Sequence, residues 1–346
     1  MPRKILVPVL NRATYGRLKA VLKAINEHPD LELQVVLGAS LFDTQIEFPA
    51  LYRVQCVLEG DNLAIMPLTT SMWIAQLTGI IENLNPDAVY IHGDRFESLG
   101  TALTAAYLNK IVIHGEGGEV TGSIDERIRH SVTKLADLHF ATTKLSEQRI
   151  IKMGENPDSV FVVGSTALDP LVEIDLSNDR RKPYFVVLMH PNTKEDEPIE
   201  PLLEVLNSFS GFDVIIINPN IDPGNKALLK RIHQLKTEFK KNLPVEEYAR
   251  FIKNCSCLIG NTSSGIKEGC FLGTPYVCIG SRQQGREMGD NVISVENNAQ
   301  QIADAINRHL KHGRYSPDYR FGDGTAGKQI ADILAKVEVK EKKLQY

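Results

Sequence analysis

Short runs of β-branched and other apolar residues alternate along most of the chain with longer segments whose apolar positions fall three and four residues apart. In the first half, segments 4–10, 33–38, 88–92, 111–114, 139–142 and 160–163 are almost continuously apolar. That pattern predicts strands buried on both faces of a parallel sheet. Between them, 15–27, 70–84, 97–108, 125–136 and 145–153 carry helical spacing. Strand and helix in strict alternation predict a doubly wound α/β sheet.

The rhythm stops at 164–183, which holds Pro170 and the polar run Ser177-Asn-Asp-Arg-Arg-Lys-Pro183, and reads as a linker. It restarts with strands at 184–189, 213–217, 257–260, 276–279 and 292–295, separated by helical patterns at 198–208, 226–236, 245–254, 264–272 and 299–310. The expected fold is therefore α/β, with two Rossmann-like domains facing a cleft. The first covers 1–168, with a C-terminal helix at about 325–338 packing back on it; the second covers 182–318. In such sheets a ligand gathers at the carboxyl ends of the strands.

Composition narrows the partners. At 346 residues the chain exceeds the roughly 250–300 at which one core stops growing, so two domains are the default. With 42% hydrophobic and 24% charged residues it is neither disordered nor fibrous. A net charge of −4 gives no reason to expect nucleic acid or an anionic membrane, so any anion must be held by a local site. No apolar run reaches the ~18 residues of a membrane span, and the opening residues are too short in their apolar part for a signal peptide. Cys56, Cys255, Cys257, Cys270 and Cys278 are odd in number and mostly set in apolar runs. A reducing cytoplasm is expected, without disulfides. Cys255-Ser-Cys257 has no second ligand pair nearby, so no metal site is expected.

The chemistry-bearing residues follow the strands. After 88–92 comes Gly93-Asp94-Arg95, and after 111–114 comes Gly115-Glu116-Gly117-Gly118-Glu119, followed by Asp125, Arg129 and His130. Adjacent strand ends should bring Asp94, Glu116, Glu119 and Asp125 together, with Arg95, Arg129 and His130 among them. Crowded carboxylates have their pKa values driven apart, which supplies an acid and a base at one pH.

The second half ends its strands differently. His190 and Asn220 stand in turns, and Gly260-Asn-Thr262-Ser263-Ser264-Gly265 forms a hydroxyl-rich entry to a helix, with Glu268 one turn inside. Free N–H groups at such an entry suit a phosphate, and Glu268 suits ribose hydroxyls. Arg12, Arg95 and Arg282, each just after a strand, are the candidate guanidinium grips on a diphosphate. There is no Walker loop, no Gly-x-Gly-x-x-Gly after the first strand, no Asp-x-Asp and no His-Glu-x-x-His. Metal-free and cofactor-free chemistry on a nucleotide-linked substrate is the simplest reading.

These motifs resemble one family, the hydrolysing UDP-N-acetylglucosamine 2-epimerases of the bacterial sialic- and legionaminic-acid pathways and of the bifunctional animal enzyme. The resembling stretches include Asn11-Arg12-Ala13, Ile91-His-Gly-Asp-Arg95, Glu116-Gly-Gly-Glu119, Gly122-Ser-Ile-Asp125 and Ile128-Arg-His130. They continue through His190-Pro191, Pro219-Asn-Ile-Asp222, Gly260-Asn261, Gly273-Thr-Pro275 and Gly280-Ser-Arg282-Gln283. The resemblance implies a glycosyltransferase-B-like fold with the nucleotide held mainly by the second domain. It implies anti elimination of UDP to 2-acetamidoglucal, then syn hydration to N-acetylmannosamine. The family's catalytic carboxylates fall on Asp94, Glu116 and Asp125. Its uridine-diphosphate contacts fall on Arg12, Arg95, His190, Asn220, Thr262, Ser263, Glu268 and Arg282.

Departure of the diphosphate makes C1 oxocarbenium-like and acidifies C2, so cations on the leaving group lower the first barrier. Asp125 or Asp94 is assigned to elimination and Glu116 to hydration. The sequence departs from the family pattern at Gly115, where a bulkier residue is often seen, and at Gly16, where a hydroxyl residue often contacts the phosphate. The same motifs serve a 2,4-diacetamido-2,4,6-trideoxy sugar on UDP or GDP. The competing readings are a non-hydrolysing epimerase, a glycosyltransferase of the same fold and a nucleotide-sugar sensor. A homodimer or homotetramer is expected.

Overall fold

A computed structural model describes residues 1–56, 63–122, 124–177, 180–191, 198–219, 225–232, 237–240, 243–340 and 342–343, without the side chains of 12–13 and 225–227. The first half of the chain forms β1 (Arg3–Val9), α1 (Arg12–Glu27), β2 (Leu31–Gly38), β3 (Ala50–Val54), α2 (Ile65–Leu84), β4 (Ala88–His92) and α3 (Phe96–Tyr107). It continues with β5 (Ile111–Gly117), α4 (Asp125–Leu135), β6 (Leu138–Ala141), α5 (Lys144–Lys152) and β7 (Val160–Val162). The second half forms β8 (Tyr184–Leu188), α6 (Glu200–Ser208), β9 (Asp213–Ile217), α7 (Asn225–Ile232), β10 (Glu238–Lys240), α8 (Val245–Asn254) and β11 (Cys257–Gly260). It ends with α9 (Lys267–Leu272), β12 (Tyr276–Ile279), β13 (Val292–Val295), α10 (Ala299–His312) and α11 (Ala326–Lys336).

Two compact units result. One is made of Met1–Glu119, Asp125–Asp169 and Gly322–Tyr346, the other of Val120–Ile124 and Pro170–Phe321. Among the described residues, the first unit holds a parallel sheet of order β3-β2-β1-β4-β5-β6-β7, and the second one of order β10-β9-β8-β11-β12-β13. The expected α/β class and its doubly wound connectivity are present in both. The two strands that the apolar-run criterion missed, β3 and β10, are edge strands. β3 alternates between covered and exposed positions, and β10 carries Glu238 and Lys240 at its two ends, so neither reads as a continuous apolar run.

In the first unit, one sheet face is covered by Leu18, Val21, Leu22 and Ile25 of α1 and by Ile330 and Leu334 of α11. The other is covered by Trp73 and Leu77 of α2, Ala102 and Ala105 of α3 and Val132 of α4. The carboxylate of Asp169 accepts from the first N–H groups of α11, Ala326 at 3.1 Å and Gly327 at 2.6 Å, seating that helix on the unit. In the second unit the core gathers Phe185, Val187, Ile259, Val277 and Ile279 of the strands with Leu202 of α6 and Ile302 of α10. The order of each sheet reverses once in its middle, between β1 and β4 and between β8 and β11. Loops leaving those strands diverge to opposite faces, which opens the crevice where such sheets bind ligands.

Candidate active site

Glu116 stands at an irregularity in β5. The β5–β6 register shifts between Gly115 and Gly117, and Glu116 takes a left-handed φ of 63°, unusual for a residue with a side chain. Unbroken alternation would set Glu116 with His114, whose ring faces Thr133 of α4. The bulge instead sends its carboxylate to the α1 side. There Oε2 lies 3.2 Å from Arg17 Nη1 and 3.5 Å from His92 Nε2, and Oε1 accepts from Ser165 Oγ at 2.7 Å. The carboxylate is buried. Two donors and a histidine ring nitrogen thus converge on a group held in a strained backbone conformation.

In the same unit, the buried Arg129 organises the remaining acids. Its guanidinium donates to the Asp94 carboxylate and, at 2.9 Å, to the Glu119 carbonyl oxygen. Burial opposes the charge of Arg129, but Asp94, Glu119 and Asp125 together keep it firmly protonated. Asp125 is the first residue of α4, one turn before Arg129. The Glu119 carboxylate accepts from Thr142 Oγ1 at 3.0 Å, at the end of β6. His114 locks the β4 and β5 ends, its Nε2 2.9 Å from the Gly93 carbonyl; burial lowers its pKa to about 3, so it stays neutral. His130 pairs along α4 with Glu126, 3.6 Å away. Arg95 packs over the Phe96 ring, with its Nε 3.3 Å from the buried carboxylate of Glu97.

The second unit carries its own cluster at β8 and β11. The Asn261 carboxamide clamps the backbone of His190: Oδ1 accepts from the His190 N–H at 2.7 Å and Nδ2 donates to its carbonyl at 2.9 Å. The Asn261 carbonyl in turn accepts from Arg282 Nη1 at 3.1 Å and Gln283 Nε2 at 2.8 Å. Gly260 is extended beyond what a side chain allows, and a Cβ there would meet the Leu188 carbonyl oxygen at 2.0 Å. Thr262 caps the next turn by accepting from the Ser264 N–H at 3.2 Å. The helix expected over 264–272 divides into a 3-10 turn, Ser263–Gly265, and the short α9. Gly265 lies flat on the Tyr276 ring, where a Cβ would be 2.4 Å away, and this close packing accompanies the tighter turn. Glu268 is half-buried in the first turn of α9.

Asp94, Glu119, Asp125 and Arg129 are thus brought together in the first unit, and His190, Thr262, Ser263, Ser264 and Arg282 lie on neighbouring strand ends of the second. Asn220 and the side chain of Arg12 lie outside the described residues. Three partners of Glu116 were not singled out from sequence. Ser165 follows β7 as Asp94 follows β4, and it lay in a stretch read only as linker. His92 was inside a quoted motif, and Arg17, five residues past Arg12 on α1, carried no local signal.

Residues 23–335 match the family model described as UDP-N-acetylglucosamine 2-epimerase. Over 361 residues the chain is 29% identical to the UDP-N-acetylglucosamine 2-epimerase of Neisseria meningitidis serogroup B, covering 96% of this chain and 95% of that protein. It is also 29% identical over 361 residues to the UDP-N,N'-diacetylbacillosamine 2-epimerase (hydrolyzing) of Legionella pneumophila, covering 96% of each. Among solved structures, its fold is similar to that of the Methanocaldococcus jannaschii UDP-GlcNAc 2-epimerase in complex with UDP-GlcNAc and UDP. That likeness has a TM-score of 0.81 at 18% identity, covering 96% of this chain and 99% of the other.

Proposed function

The chain belongs to the UDP-N-acetylglucosamine 2-epimerase family, and from that premise we propose that it is a hydrolysing member. UDP-N-acetylglucosamine loses UDP from C1 and a proton from C2 to give 2-acetamidoglucal. Water then adds at C1 and a proton adds to C2 on the same face as the water, opposite to the face the first proton left, giving N-acetylmannosamine. The observation that carries this reading is Glu116, a buried carboxylate turned by a bulge onto Arg17, Ser165 and the His92 ring, in the same unit as a second acid, Asp94, held by a buried arginine. Two carboxylates in different surroundings supply the two protonation roles that elimination and hydration require. Asp125 or Asp94 takes the C2 proton, and Glu116 delivers one in hydration. Arg12, Arg95 and Arg282, with Thr262 to Ser264, stabilise the departing diphosphate. His190, Asn220 and Glu268 hold the nucleoside.

A proton NMR time course with UDP-N-acetylglucosamine in D₂O tests the proposal. Free UDP with N-acetylmannosamine deuterated at C2 is the expected result. Deuterated UDP-sugar without cleavage would instead establish a non-hydrolysing epimerase. The Legionella relative's name favours a second substrate, a 2,4-diacetamido-2,4,6-trideoxy nucleotide sugar, and its reaction in place of the first would reassign the sugar and keep the chemistry.

The enzyme works in the cytoplasm, a reading supported by five free, buried cysteines. It assembles as a homodimer or homotetramer. Supporting this, α2 carries no Asp, Glu, Lys or Arg before Glu82 and turns Leu68 (51% exposed) and Met72 (41% exposed) outward.

A further inference from the structure

Tyr90 lies in the middle of β4 with no exposed surface, and a phenol hydroxyl in that position needs a partner. Its Oη lies 3.4 Å from Nδ1 of His92, two residues along the same strand face, and the two rings stack at 25°. Space for that hydroxyl comes from Gly115, the β5 residue in register with His92. A Cβ at 115 would stand 2.3 Å from the Tyr90 oxygen and 3.2 Å from His92 Nδ1. Gly115 is absent from the residues with positive φ, so room rather than backbone conformation excludes a side chain. The other ring nitrogen of His92, Nε2, faces Glu116 Oε2 at 3.5 Å.

We propose that Tyr90 is a positioning residue for the acid–base machinery: its hydroxyl fixes the tautomer of His92 so that an N–H, and not a lone pair, faces Glu116. The proposal rests on the role given to Glu116 above. Burial, and then the charge of Glu116, push the Tyr90 phenol upward, so it remains a donor. A donor on Nδ1 makes that nitrogen the acceptor and leaves the imidazole proton on Nε2. Without the phenol, the ring is free to present an unprotonated nitrogen to a carboxylate, which is repulsive. Among the described residues, Arg17 from α1, His92 from β4 and Ser165 beyond β7 face Glu116. Tyr90 governs the one among them whose two ring nitrogens can exchange a proton as tautomers. Gly115 and Tyr90 form a matched pair, with the volume missing from one residue filled by the other.

The test uses the full-length protein with Tyr90→Phe. The expected result is an unchanged KM for UDP-N-acetylglucosamine, a kcat lower by about tenfold, as for other orienting hydrogen bonds, and a displaced pH profile of hydration. Nitrogen-15 NMR of labelled histidine should show His92 as the Nε2–H tautomer in the wild type and as a mixture in Tyr90→Phe. The double change Tyr90→Leu with Gly115→Ala should restore the melting temperature lost by Gly115→Ala alone, while keeping the displaced profile. A Tyr90→Phe protein with wild-type kcat, pH profile and His92 tautomer would overturn the proposal. Glu116→Gln is run beside it. If that variant hydrates normally, the role of Glu116 fails, and the proposed effect of Tyr90 on catalysis fails with it. If it is impaired while Tyr90→Phe is not, only the role of Tyr90 fails.

Discussion

The guanidinium of Arg129 donates at once to the Asp94 carboxylate, beyond β4, and to the backbone carbonyl of Glu119, beyond β5. One buried cation therefore ties two strand ends together and pairs with Asp94. Replacing it by Met should leave Asp94 partly buried without its partner, at a cost of about 3–5 kcal/mol in unfolding free energy. Arg129→Lys should fold better but still lose most activity, because an ammonium cannot reproduce the planar fork. Urea unfolding and UDP-release assays on both variants provide the check.

Glu116→Gln keeps the shape of the side chain and removes its proton chemistry. UDP release should continue while 2-acetamidoglucal accumulates, with hydration slowed by about 10²–10⁴. Equal loss of both steps, followed by NMR, would show that Glu116 serves elimination.

Asn261 both accepts from and donates to the His190 backbone. In Asn261→Asp the donor becomes an acceptor facing a carbonyl oxygen, and one buried polar atom loses its partner. A stability loss of about 1–3 kcal/mol is expected, with weaker UDP binding by calorimetry. Tight UDP binding in this variant would show that the His190 turn takes no part in holding the nucleotide.

Away from the site, Glu155 is buried beside His139, Lys134 and Lys342. Burial raises its pKa, but hydrogen bonds from those three residues outweigh burial and bring it from 4.5 down to about 2. A carboxylate lowered in this way stabilises the fold above its unfolded value and stops doing so as pH falls. Glu155→Gln should therefore cost on the order of 3 kcal/mol at neutral pH. It should also flatten the loss of stability between pH 4.5 and about 2. Parallel wild-type and variant curves across that interval would exclude this account.

Leu68→Glu with Met72→Glu places two charges on the outward face of α2. Light scattering should find the wild type at a multiple of the single-chain mass and the variant at the mass of one chain, with the circular dichroism unchanged. A monomeric wild type would refute the assembly reading.

The α/β class, most strands and the crowding of acids at two strand ends were legible in the chain. Buried parallel strands must be apolar throughout and their helices amphipathic, and both constraints are local. The turn at 261–264 was legible for the same reason, since hydroxyl residues after a strand answer the free N–H groups of the next turn. The edge strands β3 and β10 were not, because Arg53 in one and Glu238 and Lys240 in the other interrupt the apolar run.

Composition and periodicity by themselves determined that two doubly wound sheets form and which strand ends carry acids, because burial acts on each segment separately. Only the tertiary structure decided that Glu116 turns toward Arg17, His92 and Ser165 and away from His114. That choice depends on a one-residue register shift between β5 and β6, a relation between strands that neither strand's sequence contains. Tertiary structure also decided that Val120–Ile124 joins the second unit, where the Gly122 N–H donates to the Arg282 carbonyl at 3.2 Å. It decided as well that Gly115 is required by Tyr90, since steric exclusion arises only when residues distant in the chain compete for the same space.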